Sequence, residues 1–403
     1  MKIDSEIIKN IKAQYGEAFY LIDAQQFRRN FSELKNAFSS IYDNFNIAYS
    51  YKTNYAPTYC KLVKEMGGYA EVVSEMEMEL AVKCGVEYEN IIWNGPVKDK
   101  EMLREYLFNG GVSNIDNIDE AEYIRSLAEQ NPDKLLNVGI RCNFDVDDGV
   151  VSRFGFDIDG EDFKKTIEII KNTVNLHFVN FQCHFAKRQI EYWPNRAKGM
   201  INLIDRLGLI PERIDIGGGL FGKMPEELKS QFGCKIPSYD EYAAAVAKDF
   251  ANYFKDKNNK PELIIEPGSA IVGDCMKFVC TVKSIKEVRG KNFATVLGSQ
   301  KNISMTGVNP PIEIISMNED AKAYDALDIV GYTCIEGDVL YKNYSGRIAT
   351  GDIVVIHNCG SYSLVMKPPF ILPNFPVIEV NNDSIKLVKR AESIDDIFST
   401  FII

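Results

Sequence analysis

Eight polar or charged residues stand in succession at the ends of short apolar runs: Lys52, Glu71, Asn94, Asp116, Arg141, His184, Asp215 and Glu266. Lys52 ends Tyr49-Ser50-Tyr51. A lysine there is ordinarily a surface residue, but in an apolar setting its amine loses its proton more easily and can form a Schiff base. Three glycines, Gly217, Gly218 and Gly219, follow Ile214-Asp215-Ile216. Such a run is either a tight loop or a set of backbone N–H groups open to a phosphate. Glu266 leads Glu266-Pro267-Gly268-Ser269. A buried carboxylate needs a cationic or hydrogen-bonding partner, either an ion pair between domains or the protonated nitrogen of a pyridine ring. His184 is a satisfied core residue, a ring-stacking group or an acid. Cys334 lies in Tyr332-Thr333-Cys334-Ile335-Glu336-Gly337-Asp338. Free cysteines are usually small buried apolar residues, but a loop rich in glycine and acids suits a proton donor.

Residues so spaced need a frame. From about residue 25 the chain alternates short apolar runs with amphipathic helical stretches, the pattern of βα units and a parallel sheet. Strands are expected at 46–51, 70–74, 91–94, 112–115, 136–142, 176–184, 213–216 and 263–266. Eight such units within residues 25–269 match the length of a (β/α)8 TIM barrel, with an open doubly wound sheet as the competing arrangement. Barrel active sites lie at the C-terminal ends of the strands, which is where the eight residues fall. After Pro267 the pattern turns to short β-branched runs at 277–288, 293–297, 312–315, 329–335, 353–357 and 385–388, an all-β segment. The run 18–22 reads as a strand that joins it. The expected fold class is therefore α/β, a barrel over 25–269 and a β domain built from 1–24 and 270–403.

Composition narrows the partners. With 46 basic and 57 acidic side chains the formal net charge is −11, which argues against nucleic acid or an anionic membrane as the main ligand. Apolar residues at 45% and charged ones at 26% are ordinary for a globular chain. No apolar run has the length of a membrane span, and the first residues lack the order of a signal peptide. Nine cysteines without a CxxC pair read as reduced thiols of a cytoplasmic protein, and three scattered histidines do not suggest a metal site.

Taken together, the motifs resemble the fold type III pyridoxal-phosphate (PLP) decarboxylases, the diaminopimelate, ornithine and arginine decarboxylase group. The likeness runs from about Phe19 to Val380. It is carried by Tyr51-Lys52-Thr53-Asn54, Ala70-Glu71-Val72-Val73-Ser74, Ser152-Arg153-Phe154-Gly155-Phe156, Cys183-His184-Phe185, Asp215-Ile216-Gly217-Gly218-Gly219, Glu266-Pro267-Gly268, Cys334-Ile335-Glu336-Gly337-Asp338 and Cys359-Gly360-Ser361-Tyr362. The resemblance implies that Lys52 carries PLP covalently, that His184 stacks on the pyridine ring and that Glu266 pairs with its nitrogen. Gly217 to Gly219, with Gly268 and Ser269, would cradle the phosphate, with Tyr362 nearby. Glu71 and Arg141 would also line the cofactor, Arg141 near the ring hydroxyl. Cys334 would be offered across a homodimer interface as the proton donor, and Ile335, Glu336 and Asp338 would face the substrate.

The departures concern the substrate. Diaminopimelate decarboxylases follow Glu-Pro-Gly with an arginine for the distal carboxylate; this chain has Ser269. No arginine stands near Asn309-Pro310-Pro311, Ile335 replaces the acidic residue after the cysteine, and Lys187 replaces a serine three residues after the stacking histidine. The resemblance therefore implies decarboxylation of an amino acid or amino-acid conjugate other than meso-diaminopimelate, with a siderophore-like or other secondary-metabolite intermediate among the candidates. A PLP-dependent racemase of the same fold and a non-enzymatic regulator are the alternatives.

Overall fold

The computed structural model describes residues 4–305, 307–317, 321–381 and 384–402. The chain divides into two compact units, residues 30–221 with 234–270, and residues 1–29 with 222–233 and 271–403. The short segment 222–233, placed by sequence within the barrel, belongs to the second of these.

The first unit is a closed barrel. Its strands are β2 (Phe45–Ser50), β3 (Tyr69–Val72), β4 (Ile91–Trp93), β5 (Val112–Ile115), β6 (Leu136–Asn143), β8 (Leu176–Gln182), β9 (Arg213–Asp215) and β10 (Glu262–Ile265). Each pairs in parallel with the next, and β10 returns to β2 through Leu263 opposite Phe45 and Ile265 opposite Ile47. The ring closes, which decides the architecture in favour of the barrel over the open sheet. Strands β3, β4 and β5 are buried along their whole length, as strands covered on both faces are; β4 is wholly apolar, whereas β3 and β5 carry Glu71, Ser113 and Asn114 within them. A two-residue strand, β7 (Phe156–Asp157), pairs with the end of β6 outside the ring.

Several of the helices that follow the strands carry side-chain N-caps. Ser74 accepts the Glu77 N–H at the start of helix Glu75–Lys83, and Asn117 accepts the Glu120 N–H ahead of Ile118–Gln130. Ser238 and Glu241 form a reciprocal capping box on Tyr239–Phe254. Each cap satisfies an amide that a helix start leaves orphaned, at about 1 kcal/mol apiece.

The second unit is built on β sheet. Strand β1 (Ala18–Ile22) runs antiparallel to β11 (Met276–Val288) and parallel to β17 (Val377–Asn381), as the N-terminal apolar run led one to expect. The sheet continues through β12 (Lys291–Val296), β14 (Lys322–Val330) and β15 (Val339–Ile348) on one side and β18 (Ser384–Lys389) on the other, while β13 (Ile312–Ile315) and β16 (Ile353–Ile356) pair beside β11. Ile8 and Ile11 of helix Ser5–Tyr15 pack on Phe19, Leu21, Val279, Val355 and Ile378. That helix was not read from the sequence, although Asp4 caps it. Burying its two isoleucines contributes roughly 3–6 kcal/mol. Strands β15 and β17 were also missed; Asn343 at φ 55° and Gly346 at φ 153° break the pattern of β15.

One expected strand, 329–335, is corrected. It ends at Val330, and the chain turns at Gly331, where a side chain would overlap the Asp338 carboxylate.

Candidate active site

Within the barrel unit, the strand-end residues converge. Lys52 sits on the single turn Tyr51–Thr53 that follows β2. Its Nζ lies 2.6 Å from Glu71 Oε2 and 2.7 Å from Ser50 Oγ. The apolar surroundings suggested by its tyrosine neighbours are not what the ammonium meets, because Glu71 is a carboxylate buried to 1% exposure. Glu71 also accepts from the Ser50 hydroxyl and from Asn94 Nδ2 at 3.1 Å.

Asn94, directly after β4, joins this pair to Glu266. The same Nδ2 donates to Glu266 Oε1, and Asn94 Oδ1 accepts from Asn114 at 2.8 Å, which in turn accepts from Asn180 at 2.9 Å. Gln182 Nε2 reaches both Glu266 oxygens at 3.2 and 3.3 Å. A relay of buried amides thus crosses the barrel interior and ends on two carboxylates. Burial alone would raise the Glu266 carboxyl, but neighbouring His184, Lys52 and Asp215 outweigh it and hold the group below its usual range. Asp215 moves the opposite way, pushed far up by burial and then by Glu266 beside it. The two neighbouring acids thus shift in opposite directions.

His184 lies just past β8. Its Nδ1 accepts the Gly218 N–H at 2.9 Å, so that nitrogen carries no proton and any hydrogen sits on Nε2. Burial keeps the imidazole below its ordinary range against the pull of Glu266, whose Oε2 is 3.7 Å from Nδ1. Arg141 is buried at the end of β6, 3.7 Å from Asp116 and over the Phe154 ring at 4.8 Å. Asp116 accepts the Gly155 N–H at 3.0 Å, which ties the 154–155 loop to β5.

The glycine run is tight for stated reasons. Gly217 and Gly219 have φ of 73° and 91°. A side chain on Gly217 would overlap the Cys183 carbonyl, and one on Gly218 the Glu266 carbonyl. Gly217 N–H is spent on Asp215 Oδ1 at 2.9 Å and Gly218 N–H on His184. Among the described residues, the N–H groups of Gly219 and Leu220 donate to no protein acceptor. The open donors of this turn are therefore Gly219 and Leu220, while Gly217 and Gly218 shape it. Gly268 presses on Thr53, which any side chain would strike, and Ser269 is half-buried at the start of the next turn.

The remaining expected residues lie in the second unit. Cys334, Ile335 and Glu336 are exposed in the loop between β14 and β15. Asp338 is different. It is 3% exposed, and its carboxylate accepts from Ser299 Oγ, Gln300 N, Thr333 N and Thr333 Oγ1 at 2.6–3.3 Å. With its oxygens so engaged, Asp338 holds the cysteine loop in shape. Tyr362 has φ 62°, a conformation that costs a bulky residue about 1–2 kcal/mol and is commonest where function requires it. Gly360 just before it abuts the Val272 carbonyl, leaving no room for a side chain.

The sequence profile of the family "pyridoxal-dependent decarboxylase, pyridoxal binding domain" matches residues 24–273 of the 403. The chain belongs to the pyridoxal-dependent decarboxylases. It is 26% identical to the diaminopimelate decarboxylase of Aquifex aeolicus, over 98% of this chain and 93% of that one. It is 29% identical to a probable chloroplastic diaminopimelate decarboxylase of Oryza sativa subsp. japonica, over 95% of this chain and 79% of the relative. Among solved structures, diaminopimelate decarboxylase from M. jannaschii superposes with a TM-score of 0.87 at 21% identity, covering 98% and 94% of the two chains. The arginine decarboxylase of Paramecium bursaria Chlorella virus superposes at 0.76 with 17% identity, over 93% and 100%.

This decarboxylase acts on an amino acid with pyridoxal phosphate as cofactor, as a carboxy-lyase. The residues present fit that group: an amine at Lys52 for the aldehyde, an ionised carboxylate at Glu266 for a ring nitrogen, and two free N–H donors in a turn closed to side chains. Four residues of the decarboxylase escaped the sequence reading. Asn114, Asn180 and Gln182 lie inside strands or at their last position; only the alternation of Asn180 and Gln182, two residues apart on one strand face, signalled them. Arg196 lies in a helix, where a cation normally means solvent. It is fully buried, and four carbonyl oxygens surround it.

Proposed function

We propose that this decarboxylase removes the α-carboxylate of an amino acid or amino-acid conjugate whose side chain is not that of meso-diaminopimelate. Lys52 binds the cofactor, Glu266 pairs with its ring nitrogen, His184 lies against the ring, and the turn at Gly219 and Leu220 takes the phosphate. Tyr362, Arg141, Gly268 and Ser269 complete the cofactor's surroundings, and Cys334 acts at the site of a second copy of the chain. When bound, pyridoxal phosphate supplies an electron sink for the charge left on Cα as CO2 departs.

The chain's own part is to set charges and move one proton. Asn94 and Gln182 hold Glu266 as a carboxylate, which favours a protonated partner opposite it. Ser50 and Glu71 hold Lys52 Nζ in place. Cys334 Sγ, or Lys52 Nζ as it returns, delivers the proton that Cα requires.

The observation that carries this reading is the chain Lys52–Glu71–Asn94–Glu266, an amine and a buried carboxylate fixed across the mouth of a barrel of this family. The substrate part rests on side chains. Ser269 stands where a distal carboxylate would find an arginine. Asn309 spends its amide on Lys342, donating to its carbonyl at 3.0 Å and accepting from its N–H at 2.9 Å, and offers no cation.

The test is CO2 release from the reconstituted protein across meso-diaminopimelate, ornithine, arginine, lysine and their acylated conjugates. Turnover with a conjugate or a neutral side chain, and slow turnover with meso-diaminopimelate, is expected. Fast release from meso-diaminopimelate overturns the substrate reading. Loss of chirality without CO2 replaces the reaction with racemisation.

A further inference from the structure

Arg196 belongs to the first turn of helix Trp193–Leu207, and everything about its position is costly. A cation at a helix N-terminus opposes the helix dipole. Its side chain has no solvent exposure. Among the described residues no carboxylate lies within ion-pair distance of it; Asp148 and Glu266 act on the charge only from farther off, and its direct partners are neutral. Its neighbours explain why it is there. Nη1 donates to the carbonyls of Gly218 at 2.7 Å and Ile216 at 3.2 Å, and Nη2 to those of Lys187 at 3.1 Å and Phe185 at 3.3 Å. The guanidinium stacks on Trp193, 4.1 Å from the ring centre. One fork thus grips both the glycine turn and the segment after His184. A side chain built on Gly219 would come within 3.6 Å of Nη2, so the charge lies just behind the turn with the free N–H groups.

We propose that Arg196 is a positioning residue for the phosphate of the cofactor: it clamps the Gly217–Gly219 turn so that the Gly219 and Leu220 N–H groups face outward, and its buried charge is complemented by the phosphate dianion on the other side. The proposal rests on reading that turn as the phosphate site. Bound anion and buried cation neutralise each other through one peptide layer, so each makes the other's burial less costly. A lysine in the same slot keeps the charge. It cannot satisfy four carbonyls in two directions, because it lacks the planar fork.

The experiment compares binding of pyridoxal phosphate and of pyridoxal, which lacks the phosphate, to the full-length apoprotein by absorbance titration. It uses the natural chain, Arg196→Lys and Arg196→Met, with inorganic phosphate as a third probe by thermal shift. The preference for pyridoxal phosphate over pyridoxal is expected to fall about tenfold or more in Arg196→Lys and further in Arg196→Met, with pyridoxal affinity within about threefold. Stabilisation by inorganic phosphate should fall in parallel. If both ligands weaken by one common factor, or if Arg196→Lys no longer folds, Arg196 serves the fold alone and the proposal is overturned. An unchanged preference overturns it as well. If the natural chain itself shows no preference for the phosphorylated ligand, it is the reading of the turn that fails, a distinct result.

Discussion

Replacing Asn94 by leucine tests whether the two site carboxylates are held as a unit. Leucine has similar volume but no donors. The change removes the bonds from Nδ2 to Glu71, at 3.1 Å, and to Glu266, and it strands the Asn114 amide that reaches Oδ1 at 2.8 Å. Asn94, Glu71, Glu266 and Asn114 are exposed by 2%, 1%, 4% and 1%, so water does not readily substitute. Hydrogen bonds to charged groups contribute about 1.5–3 kcal/mol each, and a neutral amide left without a partner costs about 1 kcal/mol or more. The sum is a loss on the order of 4 kcal/mol, read from urea unfolding of the apoprotein at pH 7. Asn94→Asp separates charge from packing. It keeps an acceptor for Asn114 but places a third carboxyl beside two others. Burial and like charge raise its pKa above the unfolded value of about 3.9, so the aspartate variant is relatively most stable below that pH and loses stability as pH rises toward neutrality. The leucine variant's deficit should not grow in that way. A leucine cost under about 1 kcal/mol, or an aspartate cost flat from pH 4 to 7, would refute the bridging role.

Three further outcomes follow from single contacts. Glu77 is buried beside the Lys52 turn and its carboxyl is raised from 4.5 to about 7, chiefly by burial and with Glu71 adding to it. Its contribution is complete below pH 4.5 and lost as pH climbs to about 7, so Glu77→Gln should gain roughly 3 kcal/mol on the natural chain across that window in pH-dependent unfolding; parallel curves would contradict it. Gly218→Ala drives a methyl into the Glu266 carbonyl, and equilibrium dialysis should show cofactor affinity reduced by more than about tenfold, with unchanged affinity placing the cofactor elsewhere. Asp338→Ala removes the acceptor for Ser299, Gln300 and Thr333, so protease should cut the 331–338 loop faster in the variant, and equal cleavage rates would show that other contacts hold it.

Much of the site could be read from residue order because of barrel geometry. A parallel strand buried on both faces tends to be an apolar run, and the first polar residue after it marks the C-terminal rim; Lys52, Asn94, His184 and Glu266 were read that way, while Glu71 lies inside β3. What was hidden obeys other rules. Asn114, Asn180 and Gln182 point inward from within or at the end of strands, and a polar side chain there reads as a weak strand until its partners are known. Arg196 follows no local preference at all; only four carbonyls from distant turns account for it. An acid next to a cysteine motif suggests a ligand contact, and the sequence does not show that Ser299, Gln300 and Thr333 hold the Asp338 carboxylate inward. The same bonds ended the strand expected to continue through Ile335.

The direct test of the central claim is where the cofactor attaches. The protein is loaded with pyridoxal phosphate, reduced with borohydride, digested and mapped by mass spectrometry. The modification is expected on Lys52 alone, and lost in Lys52→Ala together with CO2 release. A pyridoxyl group on another lysine, or none after reduction, would contradict the assignment of this barrel end as the active site.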